Sequence, residues 1–267
     1  MAHEITSGSG WVSTEEGRDP TQLQEALDRA NHALTLANQT RDELLSLVSH
    51  ELRTPLTTIV GTADVLLRHP QSLDEPTRVQ ALTDIFEGGQ RLQNLIENML
   101  VLGQLATGEV VEREPMLLQR LVPNLLSERN RNYSERVFVM DVPDDLPPVM
   151  GQVTYVQQVI QNYLSNAGKY SDAATPIEVR VAREPDDGVA VRVLDRGPGV
   201  AEGELEHLFE AFFRANTTRG NASGAGLGLA VCKRMVEAQG GRAWAANREG
   251  GGLEAGFSLP FDGASAE

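Results

Sequence analysis

Apolar and polar positions alternate along the first hundred residues with the period of a helix. Leu23, Leu27, Ala30, Leu34 and Ala37 step by four and three, the seam of a coiled coil, and Leu44 and Val48 continue it after Arg41 interrupts. With no breaker between, the pattern enters Leu44–Leu67, where Leu44, Leu45, Val48, Leu52, Leu56, Ile59 and Val60 keep helical spacing. Arg68–Thr77, with Pro70 and Pro76, reads as a loop. Val79, Leu82, Ile85, Phe86, Leu92, Leu95, Ile96, Met99 and Leu102 then predict a second helix, with a local weakness at Gly88-Gly89. The two form a long hairpin, and two hairpins paired through their apolar stripes would make a four-helix bundle. Gly103–Gly108 reads as a hinge, and Met1–Pro20, rich in Gly and Ser, as a tail.

From Val110 the texture changes. Helices are expected at Arg120–Arg131, Thr154–Tyr170 and Gly226–Ala238, and strands at Val137–Val142, Ile177–Ala182, Val189–Leu194, Arg242–Asn247 and Glu254–Pro260. A turn at Pro185–Gly188 joins the second and third of these strands. Consecutive antiparallel strands beside helices indicate an α/β sandwich of the α+β kind rather than a doubly wound sheet. The domain division is therefore tail 1–20, coiled-coil lead and hairpin 21–108, sandwich 109–262 and tail 263–267.

Composition narrows the function. The 267 residues carry a net charge of −15, which argues against a nucleic-acid or anionic-membrane surface. One cysteine, Cys232, excludes an internal disulfide and fits a reducing compartment. With no apolar run of membrane length and no signal peptide, the chain as given reads as soluble and cytoplasmic; it is equally compatible with the cytoplasmic portion of a longer or membrane-bound sensor.

Candidate chemistry sits in two places. Ser46, His50, Arg53, Thr54 and Thr57 form a polar stripe around His50, with Glu51 beside it and Pro55 placed to bend the helix one turn on. A decorative surface histidine is the plain alternative. HELRT also begins like the zinc-protease motif H-E-x-x-H, but Thr54 occupies the second ligand position. The other place is Thr154–Tyr170, whose polar face carries Gln158, Asn162, Asn166 and Lys169. Carboxamide oxygens suit a hard cation such as Mg²⁺, and a lysine suits phosphate oxygens; a merely solvated face is the alternative. Asp195, ending a strand before Arg196-Gly197-Pro198-Gly199, offers an acceptor for an exocyclic amine such as that of adenine. Gly224, Gly226 and Gly228 open a helix whose N-terminus attracts phosphate. GAGLGL is G-x-G-x-G after a polar loop, so a Rossmann site is excluded, and Gly168-Lys169-Tyr170 lacks the elements of a P-loop. The aromatic residues of Leu208–Phe213 should anchor a helix edge, and polar Arg214–Ser223 reads as a lid.

Together these stretches resemble the sensor histidine kinases of two-component signalling over about Gln22–Pro260. The motifs stand in the family's order: H box SHELRTPL, N box QNYLSNAGKYS, first glycine box DRGPG, aromatic box LFEAFFR and second glycine box GAGLGL. The resemblance implies ATP and Mg²⁺ as cofactors, a homodimer through the bundle, and a response-regulator receiver domain as partner. It further implies an upstream sensor domain outside this chain. By the same resemblance His50 is the phospho-acceptor, Glu51 assists its imidazole, and Thr54 matches the residue tied to phosphatase activity. Asn162 and Asn166 match the Mg²⁺–ATP face, with Asn166 the metal ligand. Lys169 and Tyr170 contact the nucleotide and Asp195 reads adenine. Gly197, Gly199, Gly224, Gly226, Leu227 and Gly228 belong to the nucleotide site, and Arg214 reaches the transferring phosphate. Three departures stand out: Gln152 replaces an Asp that starts the N-box helix, Ala225 replaces a hydroxyl residue, and Gly168 weakens that helix's end. Two other classes compete: a degenerate scaffold that docks a regulator without catalysis, and an ATPase of the same nucleotide fold working as a conformational clamp.

Overall fold

The computed structural model describes residues 20–69, 72–106, 111–132, 136–185, 188–216 and 226–261. By its internal contacts the chain falls into two units, Met1–His50 and Glu51–Glu267. Helix α1, Pro20–Arg68, crosses that boundary in one run. The side chains of the expected seam at Leu23, Leu27, Ala30, Leu34, Ala37 and Leu44 lie outside the described residues, as do Met1–Asp19.

Helix α1 continues through Pro55 unbroken. Pro55 cannot donate to the carbonyl of Glu51, and the hydroxyls of Thr57 and Thr58 donate to the neighbouring carbonyls of Arg53 and Thr54 at 2.8 and 3.2 Å. Helix α2 spans Glu75–Ala106. It starts inside the expected loop because Asp74 caps it: the Thr77 N–H donates to Asp74 Oδ1 at 3.1 Å. Pro76 therefore sits in the first turn, where its missing N–H has no partner to lose. Gly88-Gly89 is not a break. Gly88 is buried, and a Cβ there would stand 2.8 Å from Ile59 Cγ1 and 3.6 Å from the Pro55 carbonyl oxygen. The glycine lets α2 approach α1 closely. Of the expected hinge Gly103–Gly108, residues 103–106 belong to α2, which runs on to Ala106; residues 107–110 lie outside the described set. Outward from the hairpin, Leu56, Val60, Leu67, Val79, Leu82 and Phe86 are all at least half exposed.

The remainder is the sandwich. Its strands are β1 (Glu114–Met116), β2 (Phe138–Asp141), β3 (Val149–Gly151), β4 (Ile177–Glu184), β5 (Gly188–Leu194), β6 (Arg242–Asn247) and β7 (Leu253–Pro260). Its helices are α3 (Leu118–Asn132), α4 (Val153–Tyr170), α5 (Glu202–Leu205) and α6 (Gly228–Glu237). A five-stranded sheet has the order β2-β4-β5-β7-β6, and β1 and β3 pair separately. Every neighbour in the large sheet is antiparallel except β2 and β4, which run parallel with Phe138 opposite Ile177. That pair requires a crossover, and α4 supplies it.

Strand alternation sets the core. Val179, Val181, Val191, Val193, Phe257 and Leu259 point inward, onto Val156, Val159, Ile160, Tyr163 and Leu164 of α4. On α6, Val231, Cys232, Met235 and Val236 close the same core. Val101, Leu102 and Leu105 at the end of α2 pack against it as well. Strands β1 and β3 were not legible, because three residues are too few to show a period of two.

Candidate functional site

Around His50 the polar stripe is as read: Ser46, His50, Arg53, Thr54 and Thr57 are all exposed. Glu51 is half-buried, and Thr54 lies one turn beyond His50 on the same helix. Helix α1 thus offers an imidazole to solvent with a carboxylate next in sequence.

The second place is assembled from the ends of several elements. Asn162 and Asn166 stand one turn apart on α4, and the Asn166 Nδ2 donates to Asn162 Oδ1 at 3.0 Å. That bond uses the oxygen of Asn162 and leaves Oδ1 of Asn166 as the carboxamide oxygen for a cation, so the donor set fits Mg²⁺ held by one amide oxygen, phosphates and water. Gly228, the first residue of α6, nests on the same pair; a Cβ there would meet Asn162 Nδ2 at 2.5 Å and Oδ1 at 2.9 Å. The second glycine box and the N box are therefore in contact through a gap that only glycine leaves open. Leu227 is buried beneath. Gly226 (φ 69°) accepts at its carbonyl from the Phe212 N–H at 3.0 Å. Phe212 itself has φ 66°, an uncommon conformation for a bulky residue. The aromatic box is thus a turn, past the end of α5 at Leu205, that holds the residues leading into α6. Arg214 follows it, half-buried. Gly224 and most of the expected lid, residues 217–223, lie outside the described residues.

Asp195 is 7% exposed. Its Oδ1 accepts from the backbone N–H groups of Gly197 (2.7 Å) and Leu253 (3.2 Å). Among the described residues both bonds fall on Oδ1, which leaves Oδ2 to an incoming donor. Burial pushes the carboxyl above the ordinary aspartate range, while the N–H donors of Gly197 and Leu253 and the charges of Arg248 and Arg136 pull it back. Gly197 packs on the end of α4, where a Cβ would lie 2.5 Å from the Tyr170 carbonyl oxygen. Gly199 (φ 70°) borders Asn247, whose Nδ2 donates to the Val200 carbonyl at 2.6 Å and whose Oδ1 accepts from its N–H at 2.9 Å. Tyr170 is half-buried and Lys169 exposed at the last turn of α4.

Several supporting residues were missed. Arg248 donates to the Asp195 carbonyl at 2.9 Å and to Glu178 Oε1 at 2.7 Å, holding the glycine loop from behind. At the start of α4, Gln152 makes no side-chain cap. Instead its N–H donates to Oε1 of fully buried Gln239 at 2.7 Å, and Gln239 Nε2 donates to the Met235 carbonyl at 2.7 Å. So the start of the N-box helix is tied to the end of α6. The end of α4, where Gly168 stands, is braced from outside: Arg136 donates to the Gly168 carbonyl at 3.2 Å and to the Ser171 carbonyl at 3.0 Å. No spacing marks these residues; each is a single polar side chain in a loop or a turn.

The chain is similar to known proteins over most of its described length. The family model of the histidine kinase-, DNA gyrase B- and HSP90-like ATPase matches residues 151–263, and that of the His Kinase A (phospho-acceptor) domain matches residues 40–108. The sensor protein KdpD of Clostridium acetobutylicum is 32% identical over 222 residues, covering 82% of this chain and 25% of the relative. The probable sensor histidine kinase TcrY of Mycobacterium tuberculosis is 30% identical over 256 residues, covering 94% and 53%. The chain thus spans about a quarter of the one and half of the other. Full-length ShkA, crystallised in complex with AMPPNP, superposes with a TM-score of 0.59 at 28% identity, covering 84% of this chain and 47% of that one. Among the described residues no helix is long and apolar enough to cross a membrane. With a phospho-acceptor helix and this ATPase fold in one polypeptide, the chain belongs to the sensor histidine kinases of two-component signalling.

Proposed function

We propose that this chain is an ATP-dependent protein-histidine kinase that phosphorylates its own His50 and passes the phosphoryl group to an aspartate on a response-regulator receiver domain. The observation that carries the reading is the contact of Gly228 with Asn162, itself bonded to Asn166, in one domain with a buried Asp195 that keeps one oxygen as acceptor. Asp195 reads the exocyclic amine of adenine. Lys169, Tyr170 and the backbone from Gly226 to Gly228 hold the phosphates, Gly197 and Gly199 shape the base loop, and Arg214 reaches the γ-phosphate. Asn166 would hold Mg²⁺, which when bound neutralises phosphate charge.

Phosphoryl transfer asks for an in-line nucleophile and fixed charges. One nitrogen of neutral His50 attacks the γ-phosphorus, the bond to the ADP oxygen breaks, and a P–N bond forms. Glu51 hydrogen-bonds the other ring nitrogen, fixes the tautomer and stabilises the positive charge that develops. An aspartate oxygen of the receiver then displaces the imidazole. In the reverse role, Thr54 orients a water for dephosphorylation. The boundary between the two domains falls at 108/109. The exposed Leu56, Val60, Leu67, Val79, Leu82 and Phe86 support a homodimer through the hairpin. The relatives' greater length supports the reading of a sensor domain upstream, with this chain as its cytoplasmic portion.

The test is transfer from the labelled kinase. After incubation with γ-labelled ATP, a receiver domain should take the label within minutes, and Asn166→Ala should prevent labelling while leaving the dimer intact in sedimentation. Free phosphate released with no labelled protein would replace the kinase by the clamp ATPase.

A further inference from the structure

Arg136, in the lead to β2, has no part in any motif, yet its guanidinium meets the nucleotide helix at its last turn. Nη1 donates to Ser171 Oγ at 2.7 Å, and Nη2 donates to the carbonyls of Gly168 (3.2 Å) and Ser171 (3.0 Å). Ser171 Oγ in turn donates to the Ala167 carbonyl at 2.6 Å. The residues between these anchors are Lys169 and Tyr170. The Tyr170 carbonyl is also the surface on which the base loop rests, since Gly197 sits too close to it to carry a side chain. One cation thus fixes the helix end that forms one wall of the base site, satisfying carbonyls that a helix C-terminus leaves open.

We infer that Arg136 is a positioning residue of the nucleotide site, locking Gly168–Ser171 as the wall on which the Asp195–Gly197 loop rests when it meets the base. The inference rests on Asp195 as the base acceptor. Two cations on different elements lower the carboxyl of Asp195: Arg248 after β6, which is itself paired with Glu178, and, to a smaller degree, Arg136 in the lead to β2. Burial works against both. Removing Arg136 leaves the Gly197 and Leu253 N–H groups and Arg248 to hold the charge, so the proton returns to Asp195 at a somewhat higher pH and base recognition is lost from the acid side earlier. A helix cap with no electrostatic part would change affinity and leave that pH dependence where it was.

The experiment is calorimetric titration of the full chain with ADP and Mg²⁺ between about pH 5 and pH 8, with circular dichroism to confirm folding. Arg136→Gln should weaken binding at neutral pH by roughly tenfold, the scale of one charge-assisted hydrogen-bond set, and should move the acid fall-off to higher pH. Arg136→Lys should return the fall-off to its original position while recovering only part of the affinity, because an ammonium cannot span three acceptors in a plane. A folded Arg136→Gln protein with unchanged affinity and fall-off would overturn the inference. Should that variant not fold, Arg136→Lys decides, and wild-type affinity in it overturns the inference equally. Asp195→Asn separates the two levels: unchanged ADP binding there removes the base-acceptor reading itself, whereas its loss beside a normal Arg136→Gln removes only the role of Arg136.

Discussion

Replacing Gly228 by alanine puts a methyl carbon 2.5 Å from Asn162 Nδ2 and 2.9 Å from its Oδ1. Non-bonded contacts settle near ~3.5 Å, so the carboxamide has to retreat by about 1 Å. Asn162 sits on the rim of the core and only its side-chain end is struck, so the fold can absorb the move by a rotamer change. The site cannot, because Asn166 is held by that same oxygen. A displacement of about 1 Å in a positioning group lowers turnover by roughly a hundredfold, or about 2.7 kcal/mol in barrier. Gly168→Ala is the control, on the helix that carries Asn162 and Asn166, where a Cβ meets nothing within 4 Å. It should stabilise the helix by up to ~1 kcal/mol and raise the melting temperature by ~2–4 °C. The assay pairs thermal unfolding with the initial rate of labelling from γ-labelled ATP. Gly228→Ala should melt as the wild type does and label about a hundredfold more slowly, while Gly168→Ala should melt higher and label normally. A Gly228→Ala protein that labels at the wild-type rate would refute the contact between the two boxes as a functional one.

Three further outcomes follow from the same geometry. Gly88→Ala, pressed against Ile59, should lose ~1–3 kcal/mol to overpacking less the ~1 kcal/mol gained in helix propensity, whereas Gly89→Ala, with nothing within 4 Å, should gain that amount; urea denaturation of both reports the difference. Gln239→Leu strips the partner from the Gln152 N–H and should cost about 1–3 kcal/mol in the same denaturation assay. Glu178 is held below the ordinary glutamate range, first by the hydrogen bond from Arg248 and against the opposing effect of burial. A depressed carboxylate stabilises the fold above its unfolded pKa and loses that contribution as pH falls through its folded value. Urea melts from pH 6 down to about pH 3 should therefore decline more steeply in the wild type than in Glu178→Gln; parallel declines would rule the pair out as a contributor.

What the sequence disclosed, and what it withheld, has a physical pattern. Helices α1, α2 and α4 were legible because a long apolar stripe repeats often enough to fix a period, β4 and β5 because they alternate on either side of a turn, and β6 and β7 because they flank Gly250–Gly252. The site residues His50, Asn162, Asn166 and Asp195 were legible because they occur within ordered motifs. Arg136, Arg248 and Gln239 were not. Their importance comes from contacts made across 32 to 87 positions of chain, which no local spacing records. Gly88 and Gly168 misled in the same way: a glycine in a helix signals weakness by propensity, yet one serves close packing and the other is braced by an arginine. Pro76 looked like a breaker because its position relative to the Asp74 cap is set by the hydrogen bond and not by the residue type.

The central claim is that the nucleotide site and His50 are two halves of one reaction. It is tested most directly by mass-spectrometric mapping of the phosphoryl group after reaction with ATP and Mg²⁺, under alkaline conditions that preserve a P–N bond, in the wild type and in His50→Gln. The wild type should carry one acid-labile phosphoryl group, on His50, and the variant none although it still binds ADP. Phosphoryl transfer to any other residue, or undiminished labelling of His50→Gln, would contradict it.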